Sequence, residues 1–365
     1  MLSVKRPESP KDASPGRLRV SPMYLLLLFA PASFVAEALH QETAVFVTSG
    51  LAIIPLAALI GSSTEQLAIR LGPQRGGLLN ATMGNLTELI VGVFLVAAGD
   101  VAILKATLIG SIVGNLLLVL GLSFAVGGVR HRSMQFNPRS ASVHSSSLFL
   151  AVAGLVVPAM LVLGTSVSAR DREVVSVFVA VVLISLYLAA LAFTNITHAH
   201  LFRVPERGEA ATWPTSLALA VLTASAFAVG IESDLLVGSL HTAIDALHIP
   251  TVFVGLIVIP VIGNAAEHAS AIFFALKNKA DVTVEIAVGS STQVAMFVAP
   301  LLVFVSLFIG QPIDFVFAPF EIGIVALATL IVTVTSFDGE ANWLEGAQLL
   351  GAYLVIAVTA YFIHI

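Results

Sequence analysis

Eleven runs of apolar residues divide the chain almost from end to end, and each is close to the roughly 20 residues that cross a bilayer as a helix. Only short polar connections separate them, so no water-soluble domain fits between them. Because hydrocarbon cannot satisfy backbone polar groups, such runs fold as helices. We therefore predict an all-α integral membrane protein with eleven transmembrane helices. The predicted helices are residues 23–40, 44–64, 77–98, 101–128, 145–166, 174–197, 214–231, 250–275, 282–309, 317–336 and 344–363.

The composition agrees with this fold class and excludes several functions. Only 11% of the residues are charged and 58% are hydrophobic, whereas a soluble protein has about 25% charged residues. With 17 basic against 22 acidic residues, the chain offers no basic face for nucleic acid. The absence of cysteine excludes disulfides and thiolate metal sites. The lipid bilayer is the expected partner, no cofactor is expected, and the composition does not specify an oligomeric state.

Lys and Arg in the short loops predict the orientation, because these residues collect on the cytoplasmic side. With the N-terminus inside, fourteen of the 17 basic residues lie in cytoplasmic segments, and Lys105, Arg170 and Arg172 lie outside. We therefore predict a cytoplasmic N-terminus and an outside C-terminus. Short loops favour the cytoplasmic membrane of a prokaryote. The first run also resembles a secretory signal with a cleavage site at residues 36–38, but its spanning length favours a retained helix.

Two glutamates lie in the middle of apolar runs. Glu88 belongs to the third predicted helix and Glu267 to the eighth, and both lie near mid-membrane. A carboxylate is costly there, so it indicates a functional site. Each glutamate ends a Gly-Asn-x-x-Glu motif, in which Asn85 or Asn264 lies three residues earlier and so on the same helix face. The Gly before each Asn allows another backbone to approach closely.

The helices that follow these motifs also correspond to each other. A Gly-Ser pair and a later side-chain amide occur in both, as Ser111 with Asn115 and as Ser290 with Gln293. Five helices separate the two motifs, so the two copies run in opposite directions. This pattern predicts one N-terminal helix followed by two inverted five-helix repeats, an architecture that binds substrate at the midplane. Taken alone, Ser111, Asn115 and Thr87 are explained equally well by helix packing.

The repeat divides the chain into five parts, which we predict as follows. They are a cytoplasmic tail at 1–22, the first transmembrane helix at 23–43, the first repeat at 44–198, a short cytoplasmic linker at 199–213 and the second, inverted repeat at 214–365.

The polar residues of the two repeats predict a site for a hard cation. Carboxylate, amide and hydroxyl oxygens suit calcium, which accepts six to eight oxygen ligands, whereas zinc or copper would recruit Cys or several His. His268 is adjacent to Glu267 and points to another helix face, which favours a supporting or proton-handling role. A carboxyl group out of water favours its protonated form, and a bound divalent cation favours the carboxylate. Protons and metal therefore compete for both glutamates, as an antiporter requires.

With these residues assembled, the chain resembles the calcium/proton antiporters, the cation/proton exchanger family of the calcium/cation antiporter superfamily. The resemblance covers roughly residues 44–365 and rests on GNLTEL, GSIVGNLLLVLG, GNAAEH, GSSTQ and FDGEANWLEGAQLL. It implies secondary transport by alternating access, with Ca²⁺ and protons as substrates and no enzymatic activity. Glu88 and Glu267 would be the shared carriers. The supporting residues that it implies are Asn85, Asn264, Ser290, Ser291 and Gln293, and less directly Ser111 and Asn115.

Two alternative functions are kept. An exchanger of the same superfamily coupled to Na⁺ or K⁺ would use similar residues, although an Asn in both motifs and His268 favour the proton. An intramembrane hydrolase is disfavoured, because paired aspartates and a Gly-x-Ser-x-Gly motif are both missing.

Several other acidic residues are predicted to lie at the membrane boundaries. Glu65, and Glu232 with Asp234, would lie at the two mouths as cation-attracting groups or as solvated helix ends. Asp338, Glu340 and Glu345 would lie on a cytoplasmic turn, where they would start a helix or help cations enter.

Overall fold

A computed structural model describes residues 22–164, 166–198, 211–336 and 338–363. The predicted tail at 1–22 and linker at 199–213 lie almost entirely outside these residues, as does Phe337 of the FDGEANWLEGAQLL motif.

The first half of the described chain is helical apart from one short strand. Its α-helices are α1 (Phe29–Ala38), α2 (Glu42–Met83), α3 (Leu86–Ala98), α4 (Val101–Val113), α5 (Leu120–His131), α6 (Pro138–Gly164) and α7 (Ala169–Ala192). Pro22–Leu28 precedes α1 as a 3-10 helix, the π-helical segment Gly114–Val119 joins α4 to α5, and Phe193–Thr197 extends α7. Strand β1 is Ser133–Gln135.

The second half continues in the same way. Its α-helices are α8 (Thr215–Gly238), α9 (Leu240–Leu247), α10 (Thr251–Phe253), α11 (Ile259–Gly263), α12 (Ala265–Leu276), α13 (Ala280–Val284), α14 (Ser290–Gln293), α15 (Ala299–Ile309), α16 (Pro319–Thr335) and α17 (Trp343–Tyr361). The π-helical segments Val254–Val258, Glu285–Gly289 and Val294–Val298 join α10 to α11, α13 to α14 and α14 to α15. Strand β2 is Glu340–Asn342.

The predicted helical membrane fold is confirmed in its coarse form. Among the described residues, eight helices are long and apolar enough to span a bilayer, or nine if α9 and Thr251–Gly263, which meet at a bend of 120°, form one broken span. The shorter apolar helices are Pro22–Ala38, Ala265–Leu276 and Pro319–Thr335. Apart from α9, which lies between the predicted spans 214–231 and 250–275, these helices fall at predicted positions. The count of eleven spans stays a prediction.

Three of the spans are mostly buried within the molecule. The buried share of the most apolar stretch is 72% for Val101–His131, which contains α4 and α5, 61% for Glu42–Gly72 and 56% for Ala280–Ile309, which contains α13 to α15, against 22% for Ala169–Thr197. Val101–His131 and Ala280–Ile309, which we call the two central helices, are the fourth and ninth predicted spans, the equivalent members of the two predicted repeats. π-Helical segments interrupt both, and such segments frequently occur at functional sites.

A two-stranded ribbon marks one side of the molecule. Strand β1 pairs with β2 in antiparallel fashion. Nearby, the Asn137 backbone N–H donates to Asp281 Oδ1 at 2.6 Å, and His131 Nε2 lies 3.0 Å from the Leu276 carbonyl oxygen. We call this the ribbon side. Three loops that the Lys and Arg pattern assigned to the cytoplasm therefore contact one another.

Charged contacts join the loops at the opposite end of the helices. His241 Nε2 lies 2.7 Å from Asp100 Oδ1. Lys105 Nζ lies 2.5 Å from Asp314 Oδ1, and Arg172 Nη1 lies 3.4 Å from Asp314 Oδ2. These loops are the ones assigned to the outside, and two of the three basic residues that broke the charge pattern are paired with one aspartate.

Candidate cation site

Both Gly-Asn-x-x-Glu motifs lie where a membrane helix is interrupted. Asn85 (φ −103°, ψ 29°) precedes α3, and Glu88 lies in the first turn of that helix. Asn264 (φ −96°, ψ 4°) separates α11 from α12, and Glu267 lies in the first turn of α12. We predicted an uninterrupted helix at each place. Helix N-termini carry a partial positive charge, so both carboxyl groups lie where negative charge is favoured.

The second motif passes close to the first at Gly263. A Cβ atom added at Gly263 would lie 4.0 Å from Oε1 of Glu88, so the backbone of the second motif passes beside the carboxyl group of the first. The carboxyl groups of Glu88 and Glu267 are near enough to interact electrostatically. The two motifs, 179 positions apart by the difference between 267 and 88, therefore meet at one place.

The Asn of each motif contacts the Ser of the opposite repeat. Ser290 Oγ donates to Asn85 Oδ1 at 2.9 Å, and Asn264 Nδ2 donates to Ser111 Oγ at 3.2 Å. All four residues are at least 95% buried. In one contact the Asn comes from the first half of the chain and the Ser from the second, and in the other contact this is reversed. An approximate twofold relation between the predicted repeats would produce such a pair of contacts.

Ser290 is the most connected side chain of this network. It accepts a hydrogen bond from Asn115 Nδ2 at 3.2 Å, and it also interacts with the carboxyl group of Glu267. Asn85 additionally donates to Gln293 Oε1 at 2.6 Å. The structure therefore brings both glutamates together with six of their predicted neutral partners, which are Asn85, Asn264, Ser111, Asn115, Ser290 and Gln293.

Three other predicted residues lie beside this network rather than within it. The Ser291 hydroxyl donates to backbone carbonyls, those of Ala287 at 2.8 Å and Ile112 at 3.3 Å. Thr87 is buried next to Glu88. His268 follows Glu267, and its Nε2 atom is buried without a hydrogen-bond partner among the described residues.

Unpaired oxygen atoms and a small cavity mark the centre of the network. Oε2 of Glu267 and Oδ1 of Asn264 are buried and have no hydrogen-bond partner among the described residues. A cavity of about 10 Å³, measured for the centre of a water-sized sphere, is lined by Glu88, Thr107, Ser111 and Gly263 together with apolar residues. This volume is close to what one water molecule needs. The cavity adjoins Glu88, and the unpaired acceptors belong to the second motif. The two motifs together therefore offer both space and acceptors for a small cation.

The ligand set contains few charged groups. Over the residues that the structure describes, no cluster of three or more His, Cys, Asp or Glu side chains could hold a metal ion. The site therefore offers two carboxylates and several neutral oxygens. This mixture agrees with calcium better than with a transition metal.

One acidic residue near this site was overlooked in the sequence. Glu285 lies at the start of the π-helical segment before Ser290, and its Oε2 atom is 2.8 Å from Nε2 of His144. Its side chain is 57% exposed, and it lies toward the ribbon side of the central helix. Its position inside the predicted span 282–309 was a usable signal. Its partner could not be predicted, because His144 belongs to the other half of the chain.

The boundary assignment of Glu232 was wrong. This residue is 2% exposed and contacts Ser33 of α1 at 3.2 Å, so it is neither at an open mouth nor a solvated helix end. Asp234, two residues later, is exposed as expected. On the ribbon side, Glu345 accepts from the Asn342 backbone N–H at 3.1 Å, and Asn342 Oδ1 caps the first turn of α17. Glu345 therefore starts a helix, as one of its two interpretations predicted.

The helical membrane fold, with polar helix interruptions meeting at its centre, defines a membrane transporter. It is a secondary transporter and not an enzyme, as its family shows. The chain belongs to the sodium/calcium exchanger protein family, which it matches over residues 42–195 and 217–362.

Two curated relatives and a solved structure are similar over most of their length. The chain is 45% identical over 360 residues to the Ca(2+)/H(+) antiporter of Synechocystis sp.. The matched region covers 93% of this chain and 96% of the relative. It is 40% identical over 335 residues to the Ca(2+)/H(+) antiporter ChaA of Bacillus subtilis, which covers 90% and 95%. The structure of native YfkE matches with a TM-score of 0.83 and 37% identity, covering 93% of this chain and all of that one.

Proposed function

We propose that this protein exchanges cytoplasmic Ca²⁺ for protons by alternating access, with Glu88 and Glu267 as the groups that bind both ions in turn. The observation that carries the proposal is the meeting of the two motifs, in which the Asn of each repeat contacts the Ser of the other. The relatives named as Ca(2+)/H(+) antiporters support the choice of ions.

The charge of the site supports exchange rather than one-way binding. Two carboxylates that are out of water and close together repel each other, so each needs a proton or they need a shared cation. One Ca²⁺ ion neutralises both charges, and so do two protons. The proposed Ca²⁺ ligands are Glu88, Glu267, Asn85, Asn264, Ser111, Ser290 and Gln293, with Asn115 positioning Ser290. Ser291, Thr87 and His268 would support the site from its surroundings.

We further propose the predicted topology of eleven spans, with inverted repeats at 44–198 and 214–365. The N-terminus would be cytoplasmic and the C-terminus outside, in the cytoplasmic membrane of a prokaryote. The ribbon side would then face the cytoplasm. The contacts among the loops support this arrangement, because loops assigned to the same side contact one another, as do Asn137 with Asp281 and Asp100 with His241.

Transport into proteoliposomes tests the proposal. A pH gradient without sodium should drive Ca²⁺ uptake, and Glu88→Gln or Glu267→Gln should abolish it. Asp234→Asn is a suitable control, because this exposed acidic residue lies outside the site. Uptake that follows a sodium or potassium gradient and ignores the pH gradient would instead establish the monovalent-coupled alternative. Full transport by either glutamine variant would refute the assignment of the site.

A further inference from the structure

Glu232 is a buried carboxyl group away from the candidate cation site. It lies on α8, six residues before the end of that helix at Gly238, in the half away from the ribbon side. Its Oε1 atom is 3.2 Å from Ser33 Oγ on α1, and its Oε2 atom is buried without a hydrogen-bond partner among the described residues. Ser33 is fully buried as well.

The contact with Ser33 indicates which group donates. A serine hydroxyl has one hydrogen, and Ser33 Oγ has two acceptors within reach, the Ala30 carbonyl oxygen at 2.7 Å and Glu232 Oε1 at 3.2 Å. The shorter contact is the usual bond of a helical serine to the preceding turn, so it takes the hydrogen. An ionised Glu232 could therefore receive only a share of this hydrogen, whereas a neutral carboxylic acid donates its own hydrogen to Ser33 Oγ. The contact favours the neutral acid.

The surroundings of Glu232 also disfavour its ionised form. Helices α1, α2, α3 and α9 pack against α8. The titratable groups in the corresponding halves of these helices are Glu37, Glu42, Glu88, His241 and Asp245. Within the described residues, none of these groups hydrogen-bonds or ion-pairs with Glu232, whose one side-chain contact of this kind is with Ser33. A buried carboxylate without a cation and with one unpaired oxygen is costly, whereas the neutral acid is tolerated.

We propose that Glu232 is a proton-binding residue separate from Glu88 and Glu267, which carries its proton while α1 is docked on α8 and releases it when α1 moves away. On release the O–H bond breaks, the proton passes to water and the electron pair stays on the carboxylate. The docking of the N-terminal helix then depends on pH. The proposal does not require calcium exchange, although Leu236, one turn from Glu232, lines the cavity beside Glu88.

Infrared spectroscopy of the purified protein in lipid tests the protonation state. Beside the bands of Glu88 and Glu267, wild type should show a further protonated-carboxyl band at acidic and neutral pH that disappears at alkaline pH, and Glu232→Gln should lack this further band. The band should persist in Asp234→Asn and change frequency in Ser33→Ala, where the acceptor is removed. A wild-type spectrum in Glu232→Gln, or unchanged frequency in Ser33→Ala, would overturn the proposal.

The docking of α1 is tested by thiol labelling, because the chain has no cysteine. Ala36 lies one turn after Ser33 and is 7% exposed, so the thiol of Ala36→Cys is hidden while α1 is docked. Since thiolate formation itself speeds labelling at alkaline pH, each rate is divided by that of the Glu232→Gln protein carrying the same cysteine.

The labelling rate of Ala36→Cys, divided by the rate of the same cysteine in Glu232→Gln, should be one at acidic pH and several-fold higher at alkaline pH. Asp234→Asn should behave like wild type. In Ser33→Ala the rise should come at lower pH, because the neutral acid has lost its acceptor. A ratio of one at every pH, or a later rise in Ser33→Ala, would overturn the proposal.

Discussion

Alanine substitutions of two adjacent serines on one helix, Ser290 and Ser291, should have different effects on stability and on Ca²⁺ binding. Ser290 donates to Asn85 at 2.9 Å and accepts from Asn115 at 3.2 Å. Ser291 bonds only to the backbone, at 2.8 Å to Ala287 and 3.3 Å to Ile112. Both are buried, so Ser290→Ala and Ser291→Ala remove the same atom from the same helix and differ in what that atom contacts.

The structure indicates how large the difference should be. Ser290→Ala leaves two buried polar groups unpaired, and at about 1–3 kcal/mol each the destabilisation should be about 2–6 kcal/mol. It also removes a proposed neutral ligand, so Ca²⁺ binding should weaken about tenfold, which corresponds to about 1.4 kcal/mol. Ser291→Ala removes a hydroxyl whose acceptors are backbone carbonyls, so it should cost less than about 1 kcal/mol and leave Ca²⁺ affinity unchanged.

Calcium titration by calorimetry and thermal unfolding of the purified proteins measure both effects. The reasoning is refuted if Ser291→Ala weakens binding as much as Ser290→Ala does. It is also refuted if Ser290→Ala binds Ca²⁺ like wild type while remaining folded.

Three further predictions concern packing, cation entry and the loops opposite the ribbon. Gly110→Ala should destabilise the protein by about 1–3 kcal/mol, because the added Cβ would meet a backbone oxygen at 2.2 Å. Gly114→Ala should have little effect, since nothing lies within 4 Å of the added Cβ. Equal melting temperatures of the two variants would contradict this prediction. Glu285→Gln should raise the Ca²⁺ concentration for half-maximal transport about two- to fivefold with an unchanged maximal rate, because a negative charge concentrates cations near the site. A lower maximal rate with an unchanged half-maximal Ca²⁺ concentration would contradict this role of Glu285. Lys105→Met should cost about 1–3 kcal/mol, because it removes the 2.5 Å contact with Asp314, and an unchanged melting temperature would show that this contact is not stabilising.

The sequence predicted the positions of the long apolar helices, because apolar length determines which segments enter a bilayer. It also selected Glu88 and Glu267, since a repeated carboxylate in an apolar run has few structural explanations. It did not predict the interruptions at Asn85 and Asn264. Hydropathy does not report backbone geometry. The Gly-Asn pairs are equally compatible with packing positions inside an uninterrupted helix and with a break in it.

Contacts between segments that are distant in the chain could not be predicted from the sequence either. Glu232 resembled a helix end because it lies near a predicted boundary, yet Ser33 of the N-terminal helix covers it. Glu285 lies inside a predicted span, and its partner His144 lies 141 positions away by the difference between 285 and 144. Such contacts depend on which helices become neighbours, and no periodic pattern in the chain specifies that.

The most direct test of the central claim is the number of protons released when Ca²⁺ binds to the purified protein, measured by calorimetry in buffers of different ionisation enthalpy. If Glu88 and Glu267 bind both ions in turn, wild type should release protons on binding Ca²⁺, and Glu88→Gln and Glu267→Gln should lose both the binding and the release. Calcium binding without proton release in wild type at any pH, or wild-type release in either variant, would contradict the account.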